Sequence, residues 1–264
     1  MGENRVPDRY KWVETSDGSL TLYSESFQEN CHSLSGARAE TLFHYIEGCH
    51  VVELYGKLDH FTLLEVGLGT GMGLILTLET LQKLTAKKTN LISTEIDKTL
   101  VEFLIANPPH EFFNHLKFEN DYYHAHYQGL EIYILVGDAR KTVPKFFKEK
   151  NLKVDVIYQD AFSPRKNPDL WTVEWFKDLK QISNNHARMS TYSASSSIRK
   201  SMIEAEWILQ RGLVFGTKRD STRAGLIGTT EAEILERLSR SPVSALTDAN
   251  CADYKEGNSK HVTP

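Results

Sequence analysis

The sequence predicts an α/β protein built on a doubly wound, mostly parallel sheet, and three observations support this prediction. From residue 61 onward, short apolar runs alternate with longer segments that carry apolar residues at helical spacing. Runs such as FTLLEV and IYILV are apolar on both faces, as expected for strands covered by helices on each side. A glycine-rich turn follows the first run, at the edge where such sheets commonly bind a ligand.

The chain divides into three predicted regions. Residues 1–60 hold two strand-like runs around the turn signal Asp17-Gly18 and a helical stretch near 37–47, which predicts a β-hairpin with a helical cap. Residues 61–228 hold the alternating series, with strands at FTLLEV, LIST, IYILVGD, VDVIYQD and MSTYS. Residues 229–264 offer one short helix and the polar tail TDANCADYKEGNSKHVTP, which we expect to be frayed.

Composition limits the classes of function. No run approaches the roughly 18 consecutive apolar residues that span a bilayer, and the N-terminus lacks a signal-peptide centre, so we expect a cytoplasmic protein without a membrane partner. Cys31, Cys49 and Cys251 share no metal-binding spacing, and we expect no metal. The net charge is −4, yet residues 158–223 carry 11 Lys and Arg against 7 Asp and Glu. This local excess fits either a mixed-charge surface or one that faces phosphates.

The glycine-rich turn is the first candidate site. In LLEVGLGTGMG, a strand ends near Glu65, and Gly67, Gly69 and Gly71 follow before an apolar helix begins. Glycines let the backbone pass close to a ligand and expose the amides of a helix N-terminus. The spacing differs from a dinucleotide turn and favours a loop over the amino-acid part of S-adenosylmethionine (SAM), with Glu65 beside it. The alternative is a plain tight turn.

The next two strand ends each carry an acid. Glu95 ends the second strand, 28 residues after Gly67, where a carboxylate can accept both ribose hydroxyls of an adenosyl group. Asp97 competes for that role, and either acid could instead cap the following helix. Asp138 ends the third strand, where it could accept a hydrogen bond from the adenine amino group. Three such ends at one sheet edge predict an adenosyl site.

The segment YQDAFSPRKNPDLW follows the fourth strand and places Asp160 at the same edge. Methyltransferases that act on amines commonly carry an acid or amide, prolines and an aromatic residue there, because an attacking amine needs acceptors that aim its lone pair. Phe162 could pack on a flat base or near a sulfonium, and Pro164 would hold the shape of the loop. The alternative is a rigid loop whose aspartate is only a cap.

Five segments together resemble the methyltransferase half of the bacterial bifunctional enzyme MnmC and its stand-alone relatives, often called MnmD. They are DGSLTLYSESFQENCHSLSGARAETLFHYIEG, LLEVGLGTGMG, YQDAFSPRKNPDLWTVEWF, TYSASSSIRKSMIEA and GTKRDSTRA, and the resemblance covers about residues 15–225. It implies a Rossmann-like class I SAM-dependent methyltransferase that methylates the 5-aminomethyl group of the tRNA wobble uridine, usually 2-thiolated, in the anticodon region. It also implies a functional link to the enzymes that make 5-aminomethyluridine.

The resemblance also implies roles for individual residues. Gly67, Gly69, Gly71, Glu95 and Asp138 would hold the donor. Asp160, with Phe162 and Pro164, would hold the reacting amine and base. Part of the pocket lid would come from Ser35, Gly36, Ala37 and Glu40. Basic residues between 165 and 223 would meet tRNA phosphates, namely Arg165, Lys166, Arg199, Lys200, Lys218, Arg219 and Arg223.

The sequence departs from the family pattern in places. Ser163 stands where the family usually has Ala, and NNHARMSTYS lacks the usual Pro-Gly-Gly turn. Glu206-Trp207 stands where Gly-Phe is usual, so we expect the last strands to dock differently. No second glycine motif follows residue 225, so we expect no flavin oxidase half and no FAD. Two other hypotheses remain open: a methyltransferase of a small amine or another nucleic-acid target, and a catalytically idle tRNA-binding protein.

Overall fold

The computed structural model describes residues 6–213 and 220–255. The strands in this part of the chain are β1 Tyr10–Glu14, β2 Leu20–Ser24, β3 Glu29–Asn30, β4 His60–Val66, β5 Lys88–Glu95, β6 Lys117–Glu119, β7 Tyr122–Tyr127, β8 Leu130–Val136, β9 Val154–Gln159, β10 Ser183–Thr191, β11 Ile208–Arg211 and β12 Thr222–Gly225. The α-helices are α1 Ala37–Thr41, α2 Val51–Lys57, α3 Met72–Leu81, α4 Lys98–Ala106, α5 Ala139–Lys150, α6 Val173–Gln181, α7 Ser196–Glu204, α8 Ala232–Ser239 and α9 Cys251–Lys255. A π-helix spans Leu42–Glu47, and 3₁₀ turns span Glu111–His115 and Pro168–Trp171.

One nine-stranded sheet forms the centre, in the order β11-β12-β10-β9-β4-β5-β8-β7-β6. The five strands from β10 to β8 run parallel, and the pairs on either side of them are antiparallel. Leu63 of β4 is buried between Leu91 and Val156 in one core. Its neighbour Leu64 is buried between Ile92 and Ile157 in the other, so the middle strands carry apolar residues on both faces. The predicted α/β class with a mostly parallel doubly wound sheet is confirmed.

Helices cover both faces of the sheet and enclose two apolar cores. The π-helix, α2, α3 and α4 bury their apolar residues against one face. The helices α5, α6, α7 and α8 do so against the other face, around Trp171, Trp175 and Trp207. This double covering leaves the carboxyl ends of the parallel strands as the free edge, which is where open α/β sheets bind ligands.

The antiparallel strands β6 and β7, at one edge of the central sheet, were not predicted from the sequence. β7 pairs antiparallel with β8 through a turn at Gln128 and Gly129, and both turn residues have positive φ. Its segment YYHAHY places the buried Tyr123, Ala125 and Tyr127 on one face and the more exposed His124 and His126 on the other, as in a strand with one partly solvated face. This pattern differs from the fully apolar runs that marked the central strands.

The N-terminal residues form a separate three-stranded sheet, β1-β2-β3, which includes the predicted hairpin. The short strand β3 extends that hairpin and carries Glu29 and Asn30 to the carboxyl edge of the central sheet. The following helical cap was predicted near residues 37–47, and α1 and the π-helix occupy that stretch. The cap therefore closes one side of the ligand edge.

The C-terminal part is more ordered than we expected. The amide of Val173 donates to the carbonyl of Leu246, and Leu246 is buried beside α7. The tail that we expected to be frayed includes α9, which packs beside the Pro168–Trp171 turn. Residues 256–264 of this tail lie outside the described part. Among the helices of the described residues, none is long and apolar enough to cross a membrane.

Candidate active site

Five strand ends meet around one cavity of about 810 Å³ at the carboxyl edge of the sheet. Their backbones are joined directly: the amide of Asp160 after β9 donates to Val66 of β4, and that of Gly137 after β8 donates to Glu95 of β5. The lining therefore includes a residue from each end, in the order Gly67, Glu95, Asp138, Asp160 and Tyr192. Four of these five were predicted from the sequence as site residues.

The glycine turn lines the cavity through Gly67 and Gly69. Gly67 has φ near 103°, and a Cβ there would lie 2.8 Å from the backbone oxygen of Asp160. The close approach of the two loops thus requires glycine. Gly71 does not line the cavity, because it precedes α3 and packs against the ring of Phe113. Its position at the N-cap gives it a structural role in starting the helix.

Glu65 also lies outside the cavity, although the sequence placed it with the donor. Its side chain is buried beneath the glycine turn and accepts a 2.7 Å hydrogen bond from Ser93 Oγ. Helix α3 packs directly on it, since a Cβ at Gly73 would lie 1.7 Å from Glu65 Oε1. Burial raises the pKa of Glu65 to about 8, so this side chain is mostly protonated near neutrality.

The structure separates the two acids at the end of β5. Asp97 is the N-cap of α4 and accepts the amide of Thr99 at 3.0 Å. Glu95 lines the cavity, and its Oε1 accepts the amide of Asp97. Burial raises the pKa of Glu95 to about 7. The capping role belongs to Asp97, and Glu95 is the acid that lines the cavity.

Asp138 combines a cap with a place in the cavity wall. Its Oδ1 accepts the amide of Arg140 at 3.0 Å and so caps α5, and its side chain also lines the cavity. Arg140 also lines the cavity, and its guanidinium pairs with Asp248, with 2.8 Å between Nη1 and Oδ1. Ile96 is 61% exposed on the same wall, which gives this end of the cavity an apolar surface beside an acceptor.

Asp160 is held by a tyrosine that the sequence did not reveal. The hydroxyl of Tyr45, in the π-helix, donates to Asp160 Oδ1 at 2.5 Å. Tyr45 is 2% exposed, and burial followed by the charge of Asp160 keeps its pKa well above the ordinary value. π-Helical turns occur often at functional sites. The two residues are 115 positions apart, so no local pattern could have paired them.

Two further carboxylates lie in the cavity wall beside Asp160. Glu29 Oε2 accepts the amide of Ser163 at 2.9 Å, and Glu40 Oε2 accepts the amide of Ser33 at 2.6 Å. Burial, and then the charges of Glu29 and Asp160, keep the pKa of Tyr192 well above its ordinary value. This end of the cavity therefore concentrates negative charge and attracts cations. Glu40 was predicted, whereas Glu29 and Tyr192 were missed.

The loop after Asp160 is docked on the N-terminal region. The ring of Phe162 lines the cavity and stacks on Phe27, with centroids 4.3 Å apart. Trp171 Nε1 donates to the carbonyl of Phe162 and fixes the loop from the other side. Pro164 is buried and lies outside the lining, so it shapes the loop without facing the cavity. Phe27 was not predicted, because its contact depends on the docking of the hairpin.

Three of the four predicted lid residues do not reach the cavity: Ser35, Gly36 and Ala37. Gly36 has φ near 140°, and a Cβ there would lie 2.5 Å from Asp17 Oδ2. Asp17 also accepts the amide of Ala39 at 3.1 Å. The hairpin turn thus holds the start of α1 in place, and the residues of this region that line the cavity are Ser33, Leu34 and Glu40.

The predicted basic residues have several different environments. Arg165 is exposed outside the cavity, and Lys166 Nζ lies 3.4 Å from Gln28 Oε1. Lys218 and Arg219 lie outside the described residues.

The other three basic residues make internal contacts. Arg199 is buried and pairs with Asp220 at 2.9 Å, and Lys200 donates to the carbonyls of Ser241 and Val243. Arg223 donates to the carbonyl of Arg211. Arg199 is therefore a structural residue, and its assignment to a phosphate-binding surface was wrong.

The chain is similar to known proteins in sequence and in fold. A family model described as S-adenosyl-L-methionine-dependent methyltransferase matches residues 102–226. The crystal structure of MnmC2 from Aquifex aeolicus superposes with a TM-score of 0.74 at 27% identity, covering 95% of this chain and 86% of that one. The chain is related to the methyltransferase region of MnmC.

The curated relatives include longer proteins that this chain matches in part. The tRNA 5-methylaminomethyl-2-thiouridine biosynthesis bifunctional protein MnmC of Paraburkholderia phymatum is 27% identical over 224 residues, which is 75% of this chain and 32% of that protein. The protein of the same name from Legionella pneumophila is 25% identical over 235 residues, or 75% and 34%. The chain thus spans about a third of the length of these relatives.

The chain is similar to SAM-dependent methyltransferases, and its cavity has features that suit SAM. The glycine turn brings bare backbone to the wall at Gly67, where a Cβ would collide with the next loop. Glu95 supplies a carboxylate acceptor, and the acidic end suits a sulfonium cation. No group of three or more His, Cys, Asp or Glu within the described ranges is arranged to hold a metal.

Proposed function

We propose that this protein transfers a methyl group from SAM to the amine of 5-aminomethyluridine, with or without 2-thiolation, at the wobble position of tRNA. The acidic end of the cavity carries the proposal: Asp160, Glu29 and Glu40 line a wall that suits an ammonium group. The related MnmC proteins bear names that refer to 5-methylaminomethyl-2-thiouridine in tRNA, and this supports the choice of amine.

The donor would lie along the glycine turn. Gly67 and Gly69 would pass close to its amino-acid part, Glu95 would accept from the ribose hydroxyls, and Asp138 would accept from the adenine amino group. Glu65 would support the turn from below without touching the donor. When bound, SAM supplies an electrophilic methyl group on a cationic sulfur, which becomes neutral after transfer.

Asp160 would orient the substrate amine. An aliphatic amine is mostly protonated near neutrality and has no lone pair in that form, so the site must capture the neutral form or accept a proton. A carboxylate that accepts one N–H bond aims the lone pair and compensates the positive charge that grows on nitrogen during transfer. The proton released from the methylated amine would leave to solvent or to the neighbouring carboxylates, since an ordinary aspartate is a weak base.

The nucleoside would enter the cavity between the loop after β9 and the N-terminal segment on which that loop packs. Phe162, stacked on Phe27, offers an aromatic surface for the uracil ring. Arg165 and Lys166 lie close in sequence to this surface and would contact phosphates of the anticodon loop. A base displayed in a single-stranded loop can enter such a cavity without duplex opening.

The same acidic cavity also suits a small amine, which is the second candidate. Purified protein would be incubated with methyl-labelled SAM and either tRNA carrying 5-aminomethyluridine or free polyamines. We expect label in the tRNA and none in the polyamines. Label in the polyamines alone would replace the proposal with the small-amine enzyme. Calorimetric titration with SAM tests the idle-protein hypothesis, because an idle protein binds the donor poorly.

The role of Asp160 has its own experiment. Asp160→Asn is expected to lower kcat on the order of 100-fold while the donor dissociation constant changes little, as for an interaction made mainly in the transition state. Raising the pH should recover part of the loss if proton removal fails. A parental kcat in Asp160→Asn would make Asp160 a loop cap.

A further inference from the structure

A second concave site lies apart from the catalytic cavity. It is a polar cleft of about 350 Å³ between the start of α2 and the antiparallel strands β10, β12 and β11. Its lining does not overlap that of the cavity in any residue. The mechanism proposed above uses none of its side chains.

The sheet register explains how the cleft forms. Arg223 of β12 lies beside Gln210 of β11 and Ser190 of β10, and Arg188 of β10 lies beside Gly225. Gly225 has no side chain, and a Cβ there would have only the backbone oxygen of Ala187 within 4 Å. The glycine thus leaves an open floor between two arginines on neighbouring strands.

The cleft carries more positive than negative charge. Glu53 is the single carboxylate in its lining, and it is held at 2.6 Å by Lys57 outside the cleft. Its contacts with Arg188 are longer, 3.4 Å to each terminal nitrogen, and Arg188 is 31% exposed. The carboxylate of Glu53 is therefore shared between Arg188 and Lys57, and the guanidinium group of Arg188 can still bind another anion.

Unlike Arg188, the second arginine has no carboxylate among its hydrogen-bond partners within the described residues. Arg223 Nε donates to the carbonyl of Arg211, and Nη1 lies 3.1 Å from His50 Nε2. Burial, followed by Arg188 and Arg223, lowers the pKa of His50, which keeps it neutral as an acceptor. The other histidine of the lining, His186, is bound to Asp155 at 2.7 Å.

The cleft is connected to the cavity through β10 and the π-helix. Tyr192, which lines the cavity, follows the end of β10 and lies four residues beyond Arg188, about 13 Å along an extended strand. Glu40 before the π-helix lines the cavity, and Gly48 after it lines the cleft. A polymeric substrate that places one nucleotide in the cavity could therefore reach the cleft with a phosphate farther along its chain.

We propose that Arg188 and Arg223 form a phosphodiester-binding site for tRNA next to the catalytic cavity. The inference rests on the proposed tRNA substrate. Guanidinium groups recognise phosphate oxygens through paired N–H donors, and such contacts position a nucleic acid without reading its sequence. The phosphate-binding surface would then include these two arginines in addition to Arg165 and Lys166, and it would exclude the buried Arg199.

The test is the salt dependence of tRNA binding, measured by fluorescence anisotropy. Arg188→Gln/Arg223→Gln should weaken binding about tenfold and flatten the slope of log affinity against log salt by about 1.4 to 1.8. Lys148→Gln/Arg240→Gln removes two exposed charges elsewhere and should leave the slope unchanged. SAM affinity and the thermal midpoint report whether each variant is folded.

A second pair of variants leaves both arginines in place. Gln210 is exposed beside Arg223, so Gln210→Glu should weaken tRNA binding and Gln210→Lys should strengthen it. A parental salt slope in Arg188→Gln/Arg223→Gln would overturn the proposed site. An equal flattening of the slope in Lys148→Gln/Arg240→Gln would also overturn it. A third outcome is that inorganic phosphate raises the thermal midpoint of the parent but not of the arginine variant, while the salt slope of tRNA binding stays unchanged. That result would replace the tRNA site with a small-anion site. A parent that binds tRNA with this slope but does not methylate it would refute the proposed function alone.

Discussion

Removal of one hydroxyl, in Tyr45→Phe, tests how Asp160 is positioned. The hydroxyl donates to Asp160 Oδ1 at 2.5 Å from a buried ring, so phenylalanine keeps the packing and loses only the hydrogen bond. A hydrogen bond to a charged group contributes about 1.5 to 3 kcal/mol. At 1.36 kcal/mol for each factor of ten, its complete loss in the transition state corresponds to a kcat lower by about 10-fold to 150-fold.

The assay separates positioning from folding. kcat and the Michaelis constant for tRNA would be measured across pH, together with the dissociation constant of SAM. The acid limb of the kcat profile should move to higher pH, because the carboxylate loses a donor that stabilises its ionised form. SAM affinity should stay close to that of the parent, because Tyr45 lies outside the cavity lining.

Tyr158→Phe is the matched control. Tyr158 is equally buried, its ring lies 5.2 Å from that of Tyr45, and its hydroxyl is 3.0 Å from Thr77 Oγ1. A loss of hydroxyl packing in this core should affect both variants, whereas only Tyr45→Phe should change kcat and the pH profile. If kcat and the pH profile of Tyr45→Phe both equal those of the parent, Tyr45 is not a positioning residue.

Three further predictions follow from the described contacts. Glu95→Ala and Asp138→Ala should each weaken SAM binding by about 1 to 3 kcal/mol in calorimetric titrations, and parental affinity in both would misplace the donor site. Because burial raises the pKa of Glu65 from 4.5 to about 8, the unfolded chain loses this proton first, so the thermal midpoint without donor should fall between about pH 5 and 8. Glu65→Gln should flatten this decline, and an equal decline in the variant would contradict the assignment. Glu206→Gly should stabilise the fold by about 0.5 to 1 kcal/mol in denaturant titrations, because Glu206 has φ of 64° and glycine removes the Cβ strain. Glu206→Ala, which loses the same exposed ion pair with Lys180 but keeps a Cβ, should show no gain.

The central sheet and its ligand edge could be predicted because their signals are local. Apolar runs, a glycine turn and acids at strand ends each occupy a few consecutive residues, and parallel strands bring their ends to one edge. Glu95, Asp138 and Asp160 therefore line the cavity as their positions suggested. The choice between Glu95 and Asp97 needed the structure, because both follow the same strand and either could cap α4.

The rest of the site depends on contacts between distant segments. Tyr45, Glu29 and Phe27 come from the N-terminal region and meet the loop after β9 only when the hairpin docks. Arg199 was assigned to the surface because its sequence segment is basic, but burial against Asp220 gives it a structural role. The composition of a segment does not indicate which of its charges are paired within the fold.

The central claim is tested most directly by mass spectrometry of tRNA nucleosides from a strain that lacks this protein. The strain would be complemented with the parental sequence or with Asp160→Asn. We expect 5-aminomethyluridine, or its 2-thio form, to accumulate in the deletion strain and in the Asp160→Asn strain. The parental sequence should restore the nucleoside heavier by one methyl group. An unchanged nucleoside profile in the deletion strain would show that the wobble amine is not the substrate of this protein.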